Sequence, residues 1–296
     1  MVAAAAVGIV VLMGALAYEL FLGSKVSLDK YGLSFLLGTT WDPAHNVYGA
    51  LPYIYGTVLT SALSLLIGLP VSIGVAVFLV EKLKRRQNEA HIIGTTVELL
   101  AAVPSVIYGL WGLFVLSPLL KAYVERPLHN YVGFIPTFSG TPFGLDFFTA
   151  GVILAIMIIP TVSAISRSVL NAVPNSQREA MYAIGATDWE VITKGILPYA
   201  RSGLFGATIL GLGRAVGETM AVTMVIGNST RITADLFSPG YTLASAIANQ
   251  FSETSSPLSS AALIELGLIL FFVALAINIF ARSLLWRMSR MTKVRV

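Results

Sequence analysis

The chain contains no cysteine. Disulfides, thiolate metal sites and cysteine nucleophiles are excluded with it. Histidine is scarce. The three present, His45, His91 and His129, form no HxxxH or HxH pattern, so no metal site is expected. Charge is scarce as well: 11% of the 296 residues are charged, under half the share usual in soluble domains. No GxxxxGK[ST] run occurs, so the chain has no loop of its own to cradle ATP phosphates. No Ser–His–acid set suggests itself, and the chain is not expected to be an enzyme. No segments alternate polar and apolar residues over ~10 positions, as a transmembrane barrel requires. What is abundant is apolar: 56% of residues, with a mean hydropathy of +0.80. A soluble chain of this length would need more polar surface, so the sequence reads as an all-α integral membrane protein.

Six stretches are long and apolar enough to span: roughly 2–22, 55–80, 92–120, 147–166, 203–227 and 261–285. They are expected to form one transmembrane domain over 1–296. The first lacks a basic leader region and an evident A-x-A cleavage site before a polar mature start, so it reads as a retained anchor. Lys and Arg set orientation. The 81–91 loop, the 167–202 loop and the tail after 281 carry thirteen of the 19 cations. The 23–54, 121–146 and 228–260 segments carry five, and Arg214 stands alone inside a span. Both termini are therefore expected in the cytoplasm. The outward segments, rich in Gly, Pro, Ser and Thr, suit irregular structure.

The 167–202 loop contains SQREAMYAIGATDWEVITKGILP. Ser176 with Glu179, and Thr187 with Glu190, each have the spacing of a capping box. Gly185 stands where a left-handed residue closes a helix. The loop predicts two short helices joined at a glycine corner, the second ended by Pro198. A DNA-binding helix-turn-helix does not fit its mixed charge and double tether, so no nucleic-acid partner is expected. A surface cap and a docking element for a cytoplasmic partner both remain.

Here the sequence resembles a family. Glu179-Ala180, Gly185-Ala186 and Leu197-Pro198 match the EAA loop of ABC-importer permeases. Met181 and Gly195 depart from the pattern, where Ala and Ile are usual, and read as tolerated packing changes. ELLAAVPSVIYGLWGLFVL at 98–116 and GLGRAVGETMAVTMVIGN at 211–228 look like the PstC-type permease of the phosphate-specific ABC importer. The resemblance implies a type I permease fold in the plasma membrane, the inner membrane of a bacterium. It implies a heterodimer with a PstA-type sister, two PstB-type ATP-binding subunits and an extracytoplasmic phosphate-binding protein. ATP and Mg would reside on the partner, with no cofactor on this chain. The EAA residues would couple to the ATPase.

The segment GLGRAVGETMAVTM raises the sharpest question, since Arg214 and Glu218 are full charges inside a span. From Gly203, Arg214 lies about 16 Å along a helix, near the bilayer middle. A lipid-facing arginine there is too costly, and it cannot shed its proton. At i, i+4 the two residues share a face and can pair. One reading is a lock between helices. The other is a translocation path in which the guanidinium fork attracts a tetrahedral oxyanion, and the resemblance associates this pair with phosphate passage. Thr219, Glu98 and Ser105 join them as candidate path residues. Glu98 could equally be a packing acid. Pro104 is expected to kink span three. Gly213 and Gly217 form a GxxxG pair that permits close helix approach. GLGRAVG fails as a dinucleotide fingerprint because its third glycine comes one residue late. Thr57, Thr60, Ser61 and Ser64 form one hydroxyl stripe, for packing or for lining a path. Glu265 is expected at the membrane interface. Permeases for sulfate or molybdate, and an ion-coupled secondary transporter, are the rival readings.

Overall fold

The computed structural model describes residues 2–84, 86–254 and 256–293, with side chains from residue 4 to residue 286. Arg85 and Arg295, counted above for topology, lie outside the described residues, as do the side chains of Arg287, Arg290 and Lys293. Among the described residues all regular structure is helical, with two isolated bridges, Asp42–Val47 and Gly227–Gly240. Five helical runs are long and apolar enough to cross a membrane: Ala4–Tyr31, Leu51–Lys82, Ser105–Val132, Phe147–Asn171 and Pro257–Trp286.

Three differences from the hydropathy reading have local causes. The first helix does not stop near residue 22 but runs to Tyr31 before Gly32 turns at a positive φ of 54°. The third segment is split. A helix at Gln87–Leu100 ends in tight turns over Ala101–Val103, and a new helix begins at Ser105 after Pro104. Proline removes a ladder donor and biases the residue before it away from helix, so a break replaces the expected kink. The fifth segment is also split, into Leu197–Gly217 and Met220–Val225.

The chain divides into two compact units. The first comprises Met1–Thr60, Gly109–Ala150 and Val216–Leu275. Its core gathers Phe35, Tyr48, Tyr53, Leu243 and Leu266, with the Trp41 ring edge-on to Tyr48 and Tyr53 at 4.8 and 4.9 Å. Gly56 admits the backbone of Tyr241, where any Cβ would strike its carbonyl oxygen. Next to it, Thr57 Oγ1 donates to Tyr53 O and accepts from Leu243 N at 2.9 Å. Glu265 is buried in this unit.

The second unit comprises Ser61–Tyr108, Gly151–Ala215 and Ala276–Val296. One core cluster, with Ala76, Leu170, Val191, Ile196 and Leu204, holds the long loop against the helix ends. Another joins Ile158, Val162, Ala207 and Ala215. Gly203 and Gly211 face Val169 and Val162 across this packing, where a Cβ would be crowded. The hydroxyl stripe of Thr57, Thr60, Ser61 and Ser64 is wholly buried. Thr60 and Ser64 donate back to Gly56 O and Ser61 O, which supports the packing reading.

Candidate functional site

The RAVGET segment spans a helix break. The Leu197–Gly217 helix carries Arg214 in its last turn, and Glu218 and Thr219 lie in the gap before the short Met220–Val225 helix. The i, i+4 argument requires a continuous helix, so it does not apply here. Each charge finds its partner within its own unit. Arg214 Nη1 donates to Thr161 Oγ1 at 3.0 Å. Glu218 Oε1 accepts from Ala221 N at 3.3 Å and so caps the short helix. Thr219 donates to Gly217 O at 3.3 Å, and its own carbonyl accepts from Thr223 Oγ1 at 2.8 Å. Among the described residues Arg214 has no carboxylate within 4.0 Å. A half-buried guanidinium held by one neutral hydroxyl keeps its full charge and most of its five donors for another partner. Gly213 and Gly217 do not serve close packing within the chain, since a Cβ at either would meet open space.

The Phe147–Asn171 helix holds two of the candidates. Thr161 anchors Arg214, and Arg167, six residues on and about 9 Å further along the axis, pairs with Glu98 at 3.4 Å. Glu98 is exposed near the end of the Gln87–Leu100 helix. Gly94 of that helix lies directly under the Arg167 guanidinium, leaving no room for a Cβ. Ser105 opens the next helix beyond the break, and Tyr108 Oη bridges the gap by donating to Leu100 O at 2.8 Å. Thr161 and Arg167 were not legible as site residues: one reads as ordinary span sequence, the other as a topology charge.

The 167–202 loop folds into a hairpin. Its first helix is Asn175–Ala183. The Ser176–Glu179 box does not form, because Pro174 is the N-cap and Ser176 already lies in the first turn. Gly185 turns the corner at a φ of 84°, as expected. The Thr187–Glu190 box forms in both directions. The ammonium of Lys194, together with the Thr187 donors, holds the Glu190 carboxyl at about 2. Pro198 does not end the second helix. A wider π-type turn over Val191–Ile196 leads directly into Leu197–Gly217, and proline is tolerated in that first turn. Glu179, Ala180, Gly185 and Pro198 are exposed, Ala186 and Leu197 partly so. The hairpin also exposes Tyr182, Ile184 and Trp189, at 52, 79 and 70%. The two departures from the EAA pattern touch each other: a Cβ on Gly195 would lie 3.0 Å from Met181 Cγ. The larger residue at 181 occupies the space that glycine frees at 195.

Two buried features gave no sequence signal. Arg178 Nη2 meets Glu81 Oε1 at 2.7 Å, and the side chains are 9 and 11% exposed. Arg178 also donates to Val173 O and Leu170 O, so it ties the hairpin to the end of the Phe147–Asn171 helix and, through Glu81, to the end of the Leu51–Lys82 run. In the first unit, Thr149 N donates to Asp146 Oδ1 at 2.8 Å and Gly144 N to Glu125 Oε2 at 3.1 Å, with both carboxyls fully buried. Burial pushes the Asp146 carboxyl above the usual carboxylate range.

All regular structure among the described residues is helical, and five runs are long and apolar enough to cross a membrane, which defines a multi-pass membrane protein. The chain belongs to the family of binding-protein-dependent transport system inner membrane components, whose model matches residues 68–290. It is similar to the "Phosphate transport system permease protein PstC" of Mesorhizobium japonicum, 46% identical over 98% of this chain and 89% of that protein. The protein of the same name from Pasteurella multocida is 45% identical over 96% and 89%. A probable one from Methanocaldococcus jannaschii is 37% identical over 88% and 83%. The resemblance drawn from residues 98–116 and 211–228 thus extends along nearly the whole chain. Among solved structures, a chain of the MetNI methionine ABC transporter in an inward-facing form covers 79% of this chain and 94% of its own, at 19% identity and a TM-score of 0.49.

Proposed function

We propose that the chain is the transmembrane permease subunit of an ATP-driven importer that moves inorganic phosphate across the bacterial inner membrane by alternating access. The observation that carries this reading is Arg214, whose guanidinium rests on the Thr161 hydroxyl and not on a carboxylate. A charge left unneutralised in a span is costly unless it serves water or an anion. Non-helical backbone, as at Glu218 and Thr219, is tolerated at membrane depth only within protein or along a watery cavity. The relatives' names supply the anion: they are phosphate transport permeases.

Glu98, Ser105, Glu218 and Thr219 complete the proposed path. Glu218 gives selectivity. One of its oxygens caps Ala221, and the other accepts the P–OH proton that monohydrogen phosphate has and sulfate lacks. A carboxylate repels an anion without that donor, and specificity gains from such repulsion. The 175–198 hairpin couples to the ATPase. It sets Glu179, Ala180, Gly185 and the apolar Tyr182, Ile184 and Trp189 on an exposed surface. The partners are a PstA-type sister permease, two PstB-type subunits that hold ATP and Mg, and an extracytoplasmic phosphate-binding protein; this chain needs no cofactor. Both termini face the cytoplasm, following the Lys and Arg distribution.

Labelled phosphate uptake by the assembled complex, with sulfate competing, tests the reading. Phosphate is expected to enter and sulfate to compete poorly. In Glu218→Gln the preference over sulfate is expected to narrow. Uptake of sulfate or molybdate in place of phosphate would favour a permease for another oxyanion. Uptake without ATP hydrolysis would favour a secondary transporter.

A further inference from the structure

The second unit contains a cavity of about 640 Å³ on the face that carries the basic 81–91 loop. None of Arg214, Glu218, Thr219, Glu98 and Ser105 lines it, although Arg167, the partner of Glu98, does. Its walls bring together Lys84, His91, Arg167 and Arg178 with the carboxamides of Asn88 and Asn175. The charge balance decides what such a cavity accepts. Arg178 is spent on Glu81 and two carbonyls. Arg167 has a single long contact, to Glu98. The neighbouring acids are taken: Glu89 pairs with Arg86, and Asp188 with Lys82. Among the described residues Lys84 Nζ meets only the neutral Asn175 Oδ1, at 3.1 Å. The wall is therefore left with uncancelled positive charge beside neutral donors.

Backbone adds to this. Gln87 and Asn88 are the first two residues of the Gln87–Leu100 helix, and Asn175 is the first of Asn175–Ala183. All three line the cavity, and neither helix start has a side-chain cap. Two uncapped N-termini add partial positive charge and free N–H groups on the same side as the cations. An oxyanion is the ligand class that such a cleft, with exposed Lys84, Asn88 and Asn175 on its wall, would favour. Carboxamides and a lysine do not demand the bidentate geometry that an arginine pair would, so a compact phosphate group suits the wall.

We infer that this cavity binds a phosphate group, separately from the transport path, through Lys84, Asn88, Asn175 and the two helix starts. Inorganic phosphate and the headgroup of an anionic phospholipid share this chemistry. The chain lacks cysteine, so Ala90→Cys, on the cavity wall, places one reporter thiol on it. The assembled complex is put into nanodiscs. N-ethylmaleimide labelling of residue 90 is followed by mass, at fixed pH and with ionic strength matched by chloride. One arm adds millimolar inorganic phosphate to phosphatidylcholine discs. The other replaces phosphatidylcholine with phosphatidylglycerol and omits phosphate.

Labelling is expected to slow several-fold in one arm, which identifies the source of the phosphate group. The slowing is expected to vanish in Lys84→Gln, to return in Lys84→Arg and to persist in Arg214→Ala. Unchanged labelling in both arms would overturn the inference. So would slowing that survives Lys84→Gln, or slowing abolished by Arg214→Ala, which would make it a conformational echo of the transport path. Baseline labelling in neutral discs without phosphate confirms that the Lys84 variants retain the cavity.

Discussion

Removing the Glu81 carboxylate should loosen the 175–198 hairpin more than any surface change in it. Arg178 spends its donors on Glu81 at 2.7 to 3.3 Å and on the carbonyls of Val173 and Leu170 at 2.7 and 3.2 Å. With both side chains about a tenth exposed, little water can replace the lost partner. Breaking such a pair from one side costs about 3–5 kcal/mol, because a buried charge is left uncompensated. About 3 kcal/mol corresponds to a rise of roughly two orders of magnitude in the open population. The assay is amide hydrogen exchange of the Asn175–Ala183 helix in the assembled complex, wild type against Glu81→Ala. Protection should fall by about that factor. The double variant Glu81→Leu with Arg178→Met leaves no buried charge and should recover part of the loss, although Val173 O and Leu170 O go without their donor. Unchanged exchange in Glu81→Ala, or a double variant as damaged as the sum of the singles, would refute the reasoning.

The remaining predictions concern the same hairpin. Gly195→Ile alone should cost about 1–3 kcal/mol, because its Cβ would crowd Met181 at 3.0 Å. Adding Met181→Ala should restore most of it, as thermal unfolding of the complex would report; two strictly additive losses would deny the compensation. Thr187→Ala removes a cap that accepts from Glu190 N and donates to its carboxylate and should cost about 1 kcal/mol, whereas Thr187→Ser should not. Gly185→Ala, at its φ of 84°, should cost about 1–2 kcal/mol, read as hydrogen exchange at the corner.

What sequence reveals here follows the range of the cause. Gly185 and the Thr187–Glu190 box are settled by residues within one turn, and both were legible. The apolar runs were legible because hydropathy sums over a whole span. Ser176 misled, although its spacing is right, because Pro174 starts the helix first. Pro198 misled because a wide turn upstream absorbs it. Pro104 marked the place, although a kink was expected and a break is found. The gap at Glu218 and Thr219 had no such marker, and the glycines around it suggested close packing instead. The holders of the site are long-range: Thr161 is 53 residues from Arg214, Arg167 is 69 from Glu98, and Glu81 is 97 from Arg178. No local pattern encodes such pairings, and a basic residue such as Arg167 or Arg178 reads as topology until its partner is seen.

The central claim is that Arg214 offers its charge to phosphate. The most direct measurement is uptake of labelled phosphate by the full complex carrying Arg214→Ala, with assembly and basal ATP hydrolysis checked in the same preparation. The account predicts an assembled complex that hydrolyses ATP and has lost phosphate uptake. Uptake at the wild-type rate would contradict it, and would reduce Arg214 and Thr161 to a contact between helices.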